Sequence, residues 1–338
     1  MKLFDTTLRD GGNVVGHGFS EELTVSIVRG LLSAGITDIE LGNCKGIGAK
    51  TKLHSDRAPD DDAYLRIVQP YLPLGSIGMF LLAECADAET VAKAADGHLA
   101  FLRVGANAGS GAESVSAVRL VKDAGLICRY SMMKAYVLGA DALAEEARML
   151  EASGVDRVTI MDSAGTMFPD EVRAYVAACK RAVSIPVGFH GHSNLGLSQA
   201  NALAAVAEGA DEIDCGLLGM ARSAGNCATE LAAAAFKKRG YLPEVDLFGL
   251  LSYLDRELIP AMKEIGYRPA VLPTDVVLGY SGCHSSFLPM LRHVAEEEQV
   301  SLHRLICLVS EKNRKDPDEA LVYRIARTMK KTKRSSEP

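Results

Sequence analysis

Two histidines close the apolar run IPVGFHGH at residues 185–192. On a strand, residues two apart point to the same face, so His190 and His192 stand side by side. Two imidazoles at the end of an apolar strand can share one divalent cation, whereas a lone histidine is more often a hydrogen-bonded core or surface residue. A second pair of residues with chemical potential stands at the other end of the chain. In DTTLRDGG (residues 5–12), Arg9 and Asp10 sit side by side just past a run, Met1 to Thr7, that is ready for burial. A carboxylate added to two imidazoles leaves coordination positions open, as a catalytic metal site requires. Beside it, the planar donor fork of an arginine suits an oxyanion.

These residues lie far apart in sequence, and the elements between them must bring them together. Short apolar runs (KLFDTT, TDIELG, SIGMFLL, LAFLRVG, LICRYSMM, DRVTIMD, IPVGFHGH and DEIDCGL) alternate with amphipathic stretches such as SEELTVSIVRGLLSAG and PDEVRAYVAACKRA. Ser20, followed by Glu22 and Leu23, reads as a helix start, and Gly35, Gly125 and Gly154 stand where helices should stop. Eight such alternations in roughly 240 residues predict an α/β fold, a (β/α)8 TIM barrel. The alternative, a doubly wound open sheet, lacks a GxGxxG after the first strand. In a closed barrel the first strand neighbours the eighth, so Asp10 comes near the seventh strand and its histidines, at the mouth where active sites form. From about Asp246 the pattern turns helical. The expected organisation is a catalytic barrel over 1–258, a small C-terminal helical domain over 259–330 and a frayed basic tail over 331–338.

Composition narrows the function classes. The chain has 338 residues, 48% hydrophobic and 24% charged, with net charge −6, an ordinary globular balance with no attraction for nucleic acid or anionic membrane. A secretory signal pattern is missing from the first residues, and no apolar run reaches the roughly 18–20 residues of a membrane helix. The eight cysteines form no CxxC pair, and several lie in apolar runs, which suits buried thiols in a reducing cytoplasm.

Taken together, DTTLRDG at the first strand and HGHSN at the seventh resemble the metal-dependent aldolase and lyase superfamily that includes hydroxymethylglutaryl-CoA lyase and isopropylmalate synthase. Within it the chain is most similar to the 4-hydroxy-2-oxovalerate aldolase family. MDSAGTM (161–167), residues 190–214, GNCATE (225–230) and LGYSGCHSSFL (278–288) extend the resemblance along nearly the whole chain. The resemblance implies that Asp10, His190 and His192 bind a divalent metal, manganese first and magnesium or cobalt next. It also implies that Arg9 stabilises an enolate and that Ser163 touches the substrate. Asn226 matches a further metal ligand of the lyase branch, although an asparagine after Gly225 also suits a helix N-cap. An acylating aldehyde dehydrogenase partner, held through the C-terminal helices, follows from the same resemblance; self-association into a homo-oligomer stays open.

Two departures stand out. Three residues after the metal aspartate the family carries a histidine base; here that residue is Asn13, whose amide cannot accept a proton at neutral pH. Where the family carries a substrate-contacting tyrosine, this chain has His284. Either His284 or His17 could take over proton transfer, or the chemistry belongs to another member of the set. The expected function is metal-dependent cleavage or formation of a 4-hydroxy-2-oxo acid, yielding pyruvate and an aldehyde. The alternatives are a Claisen-type acyl-CoA synthase or lyase on the same barrel and a catalytically weakened scaffold subunit.

Overall fold

The computed structural model describes residues 1–53, 59–267, 273–281, 283, 287–313 and 317–335. Eight parallel strands close in sequence order: β1 (Lys2–Asp5), β2 (Asp38–Leu41), β3 (Ser76–Leu82), β4 (Phe101–Asn107), β5 (Ile127–Met133), β6 (Arg157–Asp162), β7 (Val187–Gly191) and β8 (Glu212–Cys215). All eight strands expected from the sequence form, and β1 pairs with β8 to shut the barrel. The Ser20 hydroxyl accepts from the Leu23 N–H at 3.3 Å to start helix Glu21–Ser33. Gly35, Gly125 and Gly154 all take positive φ at helix ends, where a side chain would be strained. Helices Ala88–Asp96 and Thr229–Lys238 complete the outer ring and were not singled out from the sequence.

The barrel interior departs from the aliphatic filling usual for this architecture. Toward the N-terminal ends of the strands, Arg129 pairs with Asp38 at 2.6 Å and with Glu212, and the Phe4 and Phe101 rings lie 4.4 and 4.3 Å from its guanidinium carbon. One layer nearer the mouth, Arg103 donates twice to Glu40 (2.6 and 2.7 Å) and once to Asp214 at 2.5 Å. Burial works against the Glu40 charge, but Arg103 and Arg9 outweigh it and hold its carboxyl below the usual range. Buried ions survive only when paired and hydrogen-bonded, and removing one partner of such a pair typically costs about 3–5 kcal/mol. This interior is therefore a rigid polar platform beneath the mouth.

Beyond the barrel, Asp246 caps helix Leu247–Tyr253, which passes through a π turn (Leu254–Leu258) into Ile259–Glu264. The widened turn lies where Pro260 has no N–H to return to the preceding turn. Helices Pro273–Ser281, Leu288–Glu298, Leu302–Lys312 and Glu319–Ser335 follow. The last runs further into the basic tail than a boundary at 331 anticipates, since Lys and Arg are good helix formers. Leu291, Val294, Leu305, Ile306 and Val322 belong to the same continuous apolar core as the barrel. Tyr267 donates to the Leu218 carbonyl at 3.0 Å, tying the helical region to the loop after β8. Among the described residues no helix is long and apolar enough to cross a membrane. All eight cysteines are free thiols, seven of them buried.

Candidate metal centre and substrate site

β1 ends at Asp5, and the chain turns at once into the tight helix Asp10–Val15. The N–H groups of Arg9 and Asp10 donate back to the Thr6 carbonyl at 3.1 and 2.8 Å, which folds both side chains over the strand end. His190 lies within β7, and His192 just past it. The loop after β8 runs back alongside: Cys227 N–H donates to the Gly191 carbonyl at 3.2 Å, and Ser193 N–H to the Gly225 carbonyl at 2.8 Å. This pairing places Asn226 opposite His192. The turn requires Gly225, because at its φ of +85° a Cβ would sit 2.3 Å from the Gly219 oxygen.

The result is a buried cluster in which ligand atoms of Asp10, His190 and His192 all lie within 4.8 Å of one another. Asp10 Oδ2 is 3.5 Å from His190 Nε2 and 3.7 Å from His192 Nε2. Those separations exceed ordinary hydrogen bonds, but they are close to the roughly 3.0–3.6 Å between ligands gathered about 2.0–2.2 Å from one common ion. Asn226 Nδ2 donates to Asp10 Oδ2 at 2.8 Å, and its own Oδ1 is buried without a partner, as is His190 Nε2. Rotation of that amide would turn the oxygen into the cluster. The donor set therefore fits a divalent cation. Asn226 is not a helix cap, the other role its position allows, since helix Thr229–Lys238 starts further on, with Ala228 at its N-cap position.

Electrostatics prepares the ligands. His190 Nδ1 meets Asp214 Oδ2 at 3.1 Å. Arg103 keeps Asp214 ionised against its burial, so the imidazole donates from Nδ1 and presents the Nε2 lone pair to the cluster. Burial and the neighbouring His190 push His192 down to about 3, leaving it neutral. Burial opposes ionisation of Asp10, but Arg9, with the Asn226 amide hydrogen bond beside it, outweighs it and holds the carboxyl well below the usual range.

Arg9 is more constrained than its sequence suggests. Its Nε donates to Glu40 at 2.6 Å and one terminal nitrogen lies 3.1 Å from Asp10 Oδ1, while the Phe80 ring lies 5.0 Å from its guanidinium carbon. The whole fork is therefore not free for substrate; the remaining terminal nitrogen, buried and without a partner, is the available donor. Asn13 also has a role: its amide donates to the Asp10 carbonyl at 2.8 Å and to Asp10 Oδ1 at 3.2 Å, fixing the carboxylate. Ser163, half-buried past the end of β6, accepts the Lys134 N–H at 3.0 Å. His17, in the left-handed region at φ +83°, sits on the loop after β1, where its carbonyl accepts from Cys44 N–H at 3.0 Å; it is not among the clustered ligands. His284 lies outside the described residues. Sequence reasoning passed over Glu40, Arg103 and Asp214. Their signal was available: charged residues at inward positions of otherwise apolar strands.

Behind the site, Glu230 is buried and accepts the Leu218 N–H at 3.0 Å, supporting the loop that carries Asn226. Burial raises its carboxyl to about 7 and that of nearby Asp5 to about 6. A raised acid contributes stability that is complete below its unfolded value and lost as pH rises through the folded one. For Glu230, stability should fall by roughly 3 kcal/mol between about pH 4.5 and 7 relative to a Glu230→Gln protein. Urea unfolding of both proteins across that range checks this, and parallel pH profiles would refute it.

A family model, HMGL-like, matches residues 1–255. The chain is 33% identical to the 4-hydroxy-2-oxovalerate aldolase of Carboxydothermus hydrogenoformans over 90% of each chain. It is 35% identical to 4-hydroxy-2-oxovalerate aldolase 2 of Rhodococcus opacus, covering 88% of this chain and 85% of the relative. The HMG-CoA lyase structure from Bacillus subtilis superposes with a TM-score of 0.65 at 15% identity, over 80% of this chain and 95% of the lyase, a likeness of fold alone.

Proposed function

Since the chain belongs to the HMGL-like family, we propose that its barrel mouth cleaves a 4-hydroxy-2-oxo acid to pyruvate and an aldehyde, with Asp10, His190 and His192 holding the divalent cation. The observation that carries this reading is the buried Asp10–His190–His192 cluster with an unpartnered Arg9 nitrogen beside it. When bound, the cation supplies Lewis-acid polarisation of the 2-oxo group. A mixed set of carboxylate, amide and imidazoles is compatible with manganese, the ion that the family resemblance puts first. His190 is held in its donating tautomer by Asp214, and Asn13 fixes Asp10, so the ligand set needs little reorganisation on loading.

Proton removal from the 4-hydroxyl collapses it to an aldehyde as the C3–C4 bond breaks. The bonding electrons pass into a pyruvate enolate, whose oxygen Arg9 faces with its remaining N–H, and C3 then takes a proton. Asn13 cannot be the base, and it is committed to Asp10. His284 is our first candidate and His17 the second. His284→Ala should lower kcat roughly 100- to 10,000-fold and flatten the acid limb of its pH profile, with pyruvate enolisation affected less than carbon–carbon cleavage. A benign His284→Ala with a strong gain in Asn13→His would mean that the native reaction is a different one. Purified protein with manganese should release pyruvate from 4-hydroxy-2-oxovalerate or a longer homologue and stop under chelator. No pyruvate from any such acid, together with no metal-dependent exchange of pyruvate's methyl protons, would sink the aldolase reading and favour a scaffold.

The same reading places the protein in the cytoplasm with an acylating aldehyde dehydrogenase partner at its C-terminal helices. A cavity of about 1420 Å³ lies there, away from the barrel mouth, with Arg292, Arg304, Arg324 and Lys330 in its lining. Cationic lining supports a protein partner with an acidic surface.

A further inference from the structure

Ser131 lies on β5, two residues beyond Arg129, and strand alternation therefore points its side chain into the barrel. Its neighbours in register are Gly105 on β4 and Thr159 on β6. With the tilt of the strands, Ser131 shares a layer with Phe80 and His190, directly above the layer in which Arg129 meets Phe4. β5 stands across the barrel from β1, so Ser131 faces the cluster from the side opposite Arg9 and Asp10. Beside it on β4, Gly105 has no side chain because the Phe80 ring fills that place: a Cβ there would meet the ring at 2.1 Å. Ser131 is fully buried, and its hydroxyl has no hydrogen-bond partner. A buried hydroxyl left unpaired costs about 1–3 kcal/mol, so its retention in the floor of a ligand site calls for a partner that arrives with the ligand.

We propose that Ser131 is a substrate-binding residue whose Oγ–H donates to the carboxylate of the 2-oxo acid, on the side away from Arg9. The inference rests on the 2-oxo-acid reading above. A carboxylate carries about four acceptor sites and, once buried, needs a donor for those that metal and arginine leave over. On the inward face of β4–β6 at this level, Ser131 offers an unpaired hydroxyl for that purpose.

The role makes an unusual pair of expectations. In the unliganded protein Ser131→Ala removes an unsatisfied hydroxyl, so its Tm should equal or exceed that of wild type. Loaded with manganese, the same variant should bind oxalate, a planar carboxylate probe, roughly 10- to 100-fold more weakly, the loss of one hydrogen bond to a charged group. Ser131→Cys, close in size but a poor donor, should behave as the alanine does, which separates the hydrogen bond from a cavity effect. Calorimetric titration of oxalate, with manganese affinity measured alongside and expected to be unchanged, reads the outcome. Unchanged oxalate affinity in both variants overturns the proposal, as does a fall of several degrees in Tm, which would make Ser131 a structural residue. Wild-type protein that takes up manganese but no oxalate would instead overturn the 2-oxo-acid reading itself, and this proposal with it.

Discussion

His190→Ala and His192→Ala proteins are expected to lose divalent-cation binding and all measurable turnover while keeping the fold. Each contributes one ring nitrogen to a cluster built around Asp10, and the remaining two ligands cannot hold the ion at working concentrations. The barrel should survive because its ion-paired layers lie beneath: Arg103 retains both Glu40 and Asp214 when His190 is gone. The two variants should differ in one respect. His190→Ala frees Asp214 from its imidazole, so that protein should be the less stable of the two, whereas His192 has no such carboxylate behind it. Metal content after dialysis, circular dichroism and pyruvate release are the measurements. Turnover by both variants in the presence of chelator would dispose of the metal-site assignment.

Arg9→Lys should lower kcat by about 100-fold or more, the usual effect of losing an oxyanion donor, with metal affinity barely altered. The reason lies in how the guanidinium is divided. One nitrogen is bound to Glu40, another lies against Asp10, and only the third is left for the substrate. A lysine ammonium can satisfy the two buried carboxylates or face the substrate, but it cannot do both from fixed positions. Stability should fall modestly, because the charge is kept while the bridge between Glu40 and Asp10 is lost. If kcat stays near wild type, Arg9 serves only to neutralise Glu40 and Asp10.

Much of the site was legible before any coordinates. An HxH at the end of an apolar run and an Arg–Asp pair past the first strand retain their meaning because strand alternation and barrel closure are local rules with fixed geometry. Asn226 was only half legible: its residue type allowed a cap or a ligand, and the pairing opposite His192 removes the cap and sets its amide against Asp10. Asn13 read as a missing base, whereas the structure gives it the task of fixing Asp10.

By itself, the sequence determined the eight-strand alternation, the helical C-terminal region and the identity of three clustered side chains. Each of these follows from hydrophobic period, turn residues and short-range spacing, which do not depend on distant partners. The tertiary structure alone decided how charges inside the barrel are shared. Glu40, Arg103 and Asp214 come from three strands, 63 and 111 residues apart, and meet only when the sheet closes. It likewise decided which Arg9 nitrogen is free and that Ser131 faces the floor of the site without a partner. A buried polar atom is satisfied or left open according to what the other strands place within about 3 Å of it, and no one-dimensional pattern encodes that distance.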